Sequence, residues 1–307
     1  MFMLLRKMAR FTHDDSGEIE VKVIEHTTII HSRGDHVKLI PLGDIHLGAK
    51  GCDEELLQKV VDRIKNDPDT YWLGMGDYCD NINISDPRWD GNVADWIKTG
   101  DLSNLAKVQA DKLLEYIYPI RHKCIGLLEG NHEDKLRRRY SNSMADYVAV
   151  EMGVPNLTYT AHIRWRLERQ TDGVSKNPCR EVIIYATHGA GGGRYLGGKI
   201  NRLIGTEIGF EANIYLMGHV HEKLSYIIPN LRVYGSGADI RHIHDDKYFI
   251  LTGTFLKTYE NNARSYGERT MYNPTALGVM TIDIKPFNST HVDGKDVEMP
   301  PLISVSQ

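Results

Sequence analysis

The 307-residue chain predicts an α/β protein built on parallel strands. Three observations predict it. Five short apolar runs each end in Asp, Asn or His beside a glycine: Gly43-Asp44-Ile45-His46, Gly76-Asp77, Gly130-Asn131-His132, His188-Gly189 and Gly218-His219-Val220-His221. Between the first two lies a stretch with helical spacing, which makes a βαβ unit and hence parallel strands. Residues 223–285 then turn strand-rich, with turn signals at Pro229-Asn230 and around Gly235 and Gly237, which predicts a second sheet packed against the first.

Taken in order, residues 1–17 read as an N-terminal tail, apolar first and basic second, the reverse of a secretory signal. Residues 18–30 alternate apolar and polar and predict an antiparallel or edge strand. Residues 36–43 predict a more buried strand. Leu56, Leu57, Val60, Val61 and Ile64 recur at helical spacing after Asp53, a candidate N-cap. Tyr71, Trp72 and Leu73 form the strand that runs into Asp77. Residues 82–100 break the rhythm and read as a loop or insertion beside that strand end. A helix is expected from Leu102 to Tyr118, stopped by Pro119. A strand from Cys124, a helix over 134–151, a strand over 157–168, a strand from Glu181, a Gly-rich segment over 189–199 with a helix to about Ile208, and a strand from Asn213 complete the series. No linker, repeat or low-complexity stretch interrupts it, so residues 1–307 read as one domain.

Composition bounds the function. A content of 41% hydrophobic and 25% charged residues is that of an ordinary globular protein. The net charge of −4 argues against a chain that coats nucleic acid or an anionic membrane. No apolar run reaches the about 18 residues of a spanning helix. Cys52, Cys79, Cys124 and Cys179 are widely separated, so reduced thiols and a cytoplasmic location are the expectation.

The five strand ends carry the chemistry. Ligand sites of parallel α/β proteins lie outside the carboxyl ends of the strands. Imidazole nitrogens, carboxylate oxygens and an amide oxygen collected there suit Zn, Fe or Mn. The donors are too many for one metal with an open position and about right for two. A lone histidine is usually structural, and His13, His31, His36, His122, His242 and His244 are read so. Five apolar strands ending alike are not explained that way.

The order Asp-x-His, Gly-Asp-x-x-Asp, Gly-Asn-His-Glu, His-Gly, Gly-His-x-His, running from Gly43 to His221, resembles the calcineurin-like metallophosphoesterase superfamily. The resemblance implies a four-layer α/β/β/α sandwich of two mixed sheets flanked by helices, with a metal site at the strand carboxyl ends. It implies that Asp44, His46 and His221 hold one metal, that Asn131, His188 and His219 hold a second, and that Asp77 bridges both. Mn is the metal expected to serve in vitro. The chemistry implied is two-metal hydrolysis, with an ionised bridging water attacking phosphorus in line. His132 would protonate the leaving group or stabilise phosphoryl charge, and Asp80 would accept its other N–H.

The substrate is less determined. Asn81 stands where the protein phosphatase branch usually has Arg, which argues against that activity. The second histidine of Gly218-His219-Val220-His221 is typical of phosphodiesterase-like and nuclease-like branches. Arg194 and Lys199 beside the Gly-rich segment, and Arg137 in the run Arg137-Arg138-Arg139, are candidate phosphate or polynucleotide contacts. The segment is not a P-loop, because neither Ser nor Thr follows Lys199. Tyr259, Arg264, Tyr266, Arg269 and Tyr272 are candidates for base stacking. The expected activity is hydrolysis of a phosphodiester, nucleotide-like or nucleic acid. The alternatives are a phosphomonoesterase acting on a small metabolite or phosphoprotein, and a non-catalytic scaffold.

Overall fold

Val37–Leu42 (β2) and Thr70–Gly74 (β3) pair in parallel, as the βαβ reading requires, with Glu54–Asn66 (α1) between them. The Asp53 side chain accepts a hydrogen bond from the Leu56 N–H and caps that helix. Leu57, Val60, Val61 and Ile64 form its buried face. These elements come from a computed structural model that describes residues 21–89, 91–140, 143–235, 237, 240–259, 266–269, 271–292 and 295–307. The tail 1–17, the start of the 18–30 strand and Arg264 lie outside the described residues.

The strands before and after this unit are Lys22–Ile30 (β1) and Cys124–Leu127 (β4), the latter parallel to β3. Leu105–Ile117 (α2) precedes β4. The α-helix ends at Ile117, just before Pro119, as expected. Pro119 enters a 3-10 turn over Tyr118–Lys123, where its missing N–H is tolerated. The helix expected over 134–151 is two: Asn131–Tyr140 (α3) and Met144–Met152 (α4), the second capped by Ser143 and ended by left-handed Gly153. Thr160–Arg169 (β5), Cys179–Thr187 (β6), Leu196–Gly205 (α5) and Ile214–Met217 (β7) follow. Then come Lys223–Ile228 (β8), Leu231–Tyr234 (β9), Arg241–His244 (β10), Lys247–Thr254 (β11), Tyr266–Arg269 (α6), Gly278–Val279 (β12) and Thr281–Lys285 (β13). Asn288–Val292 (β14), Lys295–Met299 (β15) and Leu302–Ser306 (β16) close the chain.

Two mixed sheets result. One has the order β16-β13-β2-β3-β4, and the other runs β1-β5-β6-β7-β11-β12 with β8 also on β11. The five motif strands are therefore divided, with β2, β3 and β4 in one sheet and β6 and β7 in the other. Among the described residues, 223–285 contribute only the two-stranded ribbon of β9 and β10 as a sheet of their own. β8, β11 and β12 extend the sheet of β6 and β7, while β13 joins β2 in the other. β1 is an edge strand, and it pairs in parallel with β5.

Three buried clusters hold these layers. Leu39, Leu73, Ile163, Trp165, Ile184, Ile214 and Ile282 lie together, so the two sheets share one core. Ile40, Trp72, Leu57, Leu113 and Val148 pack the other face of the β2–β3 sheet against α1, α2 and α4. Tyr215, Phe249 and Leu203 do the same for β7, β11 and α5. Burial of apolar surface on this scale is the main term that stabilises the arrangement. Because both sheets are anchored to one core, the strand ends that carry the motifs are held at fixed separation. All four cysteines are free thiols. No helix among the described residues is long and apolar enough to cross a membrane.

Candidate metal centre

The chain turns sharply at the ends of β2, β3 and β7. Asp44, His46, Asp77, His219 and His221 all have left-handed backbone, with φ of 47°, 51°, 50°, 65° and 55°. Residues with a Cβ rarely adopt this conformation, and such strain clusters at functional sites. The turn lets Asp and His in a Gly-Asp-x-His motif project from the sheet edge rather than alternate across it. Gly130 makes the close approach possible: a Cβ there would lie 2.1 Å from Asp77 Oδ1.

Contacts across the two sheets set the side chains. Asp44 Oδ2 accepts from the His219 N–H at 2.8 Å. His188 Nδ1 lies 2.8 Å from the Met75 carbonyl oxygen. A carbonyl only accepts, so Nδ1 carries the proton. The other ring nitrogen, Nε2, then faces Asn131 Oδ1 at 3.2 Å and Asp77 Oδ2 at 3.3 Å. A lone pair would meet two acceptors there, so the position calls for a positive charge, either a proton or a metal. Burial pushes the His188 pKa down, but the Asp77 charge outweighs it and raises it to about 10.

The second half of the centre lies on the other side of Asp77. His46 Nε2 is 3.1 Å from His221 Nε2, and His221 Nε2 is 3.5 Å from Asp44 Oδ1. Asp44 Oδ1 and His46 Nδ1 are buried without a hydrogen-bond partner. Such orphaned atoms cost free energy unless something pairs with them. Asp77 Oδ2 is 3.9 Å from His46 Nε2, so one oxygen stands between the two halves. Burial raises the Asp77 pKa, but the imidazoles of His132, His188 and His46 outweigh it and hold the carboxyl well below the usual range. Burial pushes the His46 and His219 pKa values down.

Three groups of side chains have the composition and spacing of a metal site: Asp44, His46 and His221; Asp77, His188 and His219; and His46, Asp80 and His132. The first two are the ligand groups the motifs predict, with Asn131 joining the second through His188. The residues present fit metal ions, because buried acceptors converge without donors to satisfy them.

His132 lies beside this centre. Its N–H donates to Asp77 Oδ1 at 2.9 Å. Its Nδ1 contacts the main-chain oxygen of Asp80, not the Asp80 carboxylate that the sequence reading expected. The Asp80 carboxylate instead lies 3.7 Å from His46 Nδ1. The turn at residues 77–80 aims the Asp80 carbonyl at the ring, which leaves its side chain directed towards His46.

A cleft of about 450 Å³ opens over these residues, and Arg194, Lys199, Arg269 and Tyr272 also line it. Lys199 donates to the Val220 carbonyl at 3.2 Å and pairs with Glu222 at 2.7 Å, bracing the turn that carries His219 and His221. Arg194 is exposed and reaches the Met271 carbonyl. Arg137 does not line the cleft. It pairs with Asp134 at 2.5 Å and lies 3.7 Å from Glu129. Tyr259 donates to the Tyr272 carbonyl.

Sequence reasoning missed two residues. Glu133 is buried, and its carboxylate accepts from the N–H groups of Asp77, Tyr78 and Gly130, each at 2.9 Å. Burial and the nearby Asp77 charge raise its pKa. Its place in Gly-Asn-His-Glu was the available signal. Arg88 lies in the 82–100 segment, and its Nη1 is 3.2 Å from His132 Nε2. The only signal for it was an Arg within a loop beside the site.

No protein-family model matches the chain, and no curated protein matches it. Among solved structures it is similar to a predicted phosphoesterase from Streptococcus pneumoniae at 13% identity, with a TM-score of 0.33, covering 87% of this chain and 98% of the other. It is also similar to single- and double-mutant forms of Vps29 from Entamoeba histolytica, each at 12% identity, with TM-scores of 0.32 and 0.34, covering 88% of this chain and 98% of theirs. At these values the likeness carries no argument about activity, and the functional reading rests on the site.

Proposed function

We propose that the chain is a metal-dependent phosphoester hydrolase working as a single domain, in which the two groups of donors that meet at Asp77 would each hold a metal ion. The observation that carries this reading is the position of Asp77 Oδ2, 3.3 Å from His188 Nε2 and 3.9 Å from His46 Nε2, between two groups of donors. Bound there, metal ions would ionise a water near neutral pH and neutralise charge on the phosphoryl oxygens. Mn, Fe and Zn all suit the donor set. Asp44, His46 and His221 would hold one ion, and Asn131, His188 and His219 the other.

The protein's own groups divide the remaining work. His132 Nε2 would take up the proton that the attacking water loses and pass it to the departing oxygen as the P–O bond breaks. The Asp80 carbonyl, by accepting from Nδ1, keeps that ring oriented. Arg194, exposed on the cleft wall, is the side chain available to more distant substrate phosphates. Hydrolysis of a phosphodiester, nucleotide-like or nucleic acid, is the leading substrate reading, supported by the paired histidines of Gly218-His219-Val220-His221. A phosphomonoester is the second, favoured by the guanidinium of Arg88 beside His132.

The test is hydrolysis of bis-p-nitrophenyl phosphate against p-nitrophenyl phosphate with Mn, in wild type and in Asp77→Ala and His132→Ala. Diester turnover that both substitutions abolish is expected. Faster turnover of the monoester would sink the diesterase assignment, and no metal-dependent turnover of either would sink the enzyme reading. Linear single-stranded and duplex DNA test the nuclease form.

A further inference from the structure

We propose that Arg88 is the residue that binds the phosphoryl group of the substrate, brought to the centre by the irregular segment that follows Asn81. The inference rests on the phosphoesterase reading. Asp86 fixes the arginine. Its side chain is only 4% exposed, and it accepts from the Arg88 main-chain N–H at 2.9 Å, from Nε at 3.2 Å and from Nη2 at 3.1 Å. Lys135, from α3, contacts the same carboxylate. Nε and Nη2 form one edge of the guanidinium, and Asp86 grips that edge. The opposite edge, at Nη1, faces His132 Nε2 at 3.2 Å on the wall of the cleft.

The charge count favours an anion there. Arg88 and Lys135 bring two positive charges to one buried carboxylate, so Asp86 does not cancel the charge of Arg88, the member of the three that lines the cleft. A guanidinium held along one edge is already ordered, so little rotamer freedom is lost when the other edge takes an oxygen. His132 Nδ1 contacts a carbonyl, which only accepts, so its proton sits on Nδ1 and Nε2 accepts from Arg88.

The experiment measures binding of inorganic phosphate to the Mn-loaded full chain by titration calorimetry, beside competitive inhibition of p-nitrophenyl phosphate hydrolysis. Arg88→Ala is expected to weaken phosphate about tenfold or more, the range of a lost hydrogen bond to a charged group. Arg88→Lys should recover part of that loss. Asp86→Asn should weaken phosphate less than Arg88→Ala and add nothing in the double variant, as a positioning residue would. Metal content per chain should equal wild type throughout. Phosphate affinity unchanged in Arg88→Ala overturns the proposal, and so does a fall in metal content that accounts for the loss. If the wild type neither binds phosphate nor turns over substrate, the phosphoesterase reading fails first. If the wild type does both and Arg88→Ala matches it, only the role of Arg88 fails.

Discussion

Asp44 Oδ2 accepts a hydrogen bond from the main-chain N–H of His219 at 2.8 Å, and so ties the end of β2 to the end of β7 in the other sheet. The same carboxylate offers Oδ1, buried and without a hydrogen-bond partner, 3.5 Å from His221 Nε2. One oxygen holds the fold and the other is the proposed metal ligand. Asp44→Asn separates the two roles. Its amide oxygen can still accept from His219, but an NH₂ then occupies the place of Oδ1 and repels a metal. The expected outcome is a melting temperature within a few degrees of wild type, with bound metal reduced and activity down at least about a hundredfold, or roughly 3 kcal/mol. Asp44→Ala should lose a further 1–3 kcal/mol or so of stability. Full metal occupancy in Asp44→Asn, read by elemental analysis, would contradict this account.

Asp77 is shared where Asp44 is not. Its Oδ2 stands between His46 and His188, and its Oδ1 accepts from the His132 N–H. Asp77→Ala is therefore expected to lower metal content on both sides at once. His221→Ala should spare the group of Asn131, His188 and His219 and keep about half the wild-type metal, the share expected of one of two positions. Equal metal loss in the two variants would show that Asp77 does not join the halves.

Glu133 touches no proposed ligand atom, yet its carboxylate receives the N–H groups of Asp77, Tyr78 and Gly130. Removing it orphans three buried donors. At about 1–3 kcal/mol each, and with losses that do not simply add, Glu133→Ala should cost on the order of 3 kcal/mol or more. Glu133→Gln keeps one accepting oxygen and should cost less. Urea unfolding of the metal-free proteins measures this apart from metal binding. A loss under about 1 kcal/mol in Glu133→Ala would mean that other groups satisfy the turn.

The site was more legible in the sequence than the sheets that carry it. Asp44, His46, Asp77, His188, His219 and His221 stood out because each ends an apolar run, a local pattern. Which strands pair is not local. β1 pairs with β5 across more than a hundred residues, and β13 returns to β2 from the far end of the chain. No short window holds that information, so the division of the motif strands, β2, β3 and β4 in one sheet and β6 and β7 in the other, could not be read from the sequence. Arg88 was hidden for a similar reason. Its meaning depends on Asp86 turning it towards His132, and a loop has no periodicity from which to read a direction. Asp80 shows the limit within a motif: its spacing was legible, but the choice between its carbonyl and its carboxylate depended on the turn.

His26 gives a pH dependence that is separate from the metal centre. Its ring packs edge-on against Tyr71 and Trp165, with centroids 5.6 and 6.2 Å away, and its Nε2 is buried without a partner. Burial disfavours the charged imidazole and lowers its pKa from 6.5 to about 4. The unfolded chain therefore takes up a proton on this residue before the folded chain does. Above pH 6.5 both forms are neutral, and His26 contributes no pH dependence. As pH falls from 6.5 towards 4, the unfolded state gains the proton and folding stability drops, by at most about 3 kcal/mol. Below about 4 both states are protonated and the loss levels off. His26→Phe keeps a ring against Tyr71 and Trp165 and removes the titration. Its urea midpoint should fall less than that of wild type between pH 7 and pH 4.5, and the gap should open from pH 6.5 downward. Parallel midpoints for the two proteins across that range would show that His26 is protonated in the fold and that its burial costs nothing.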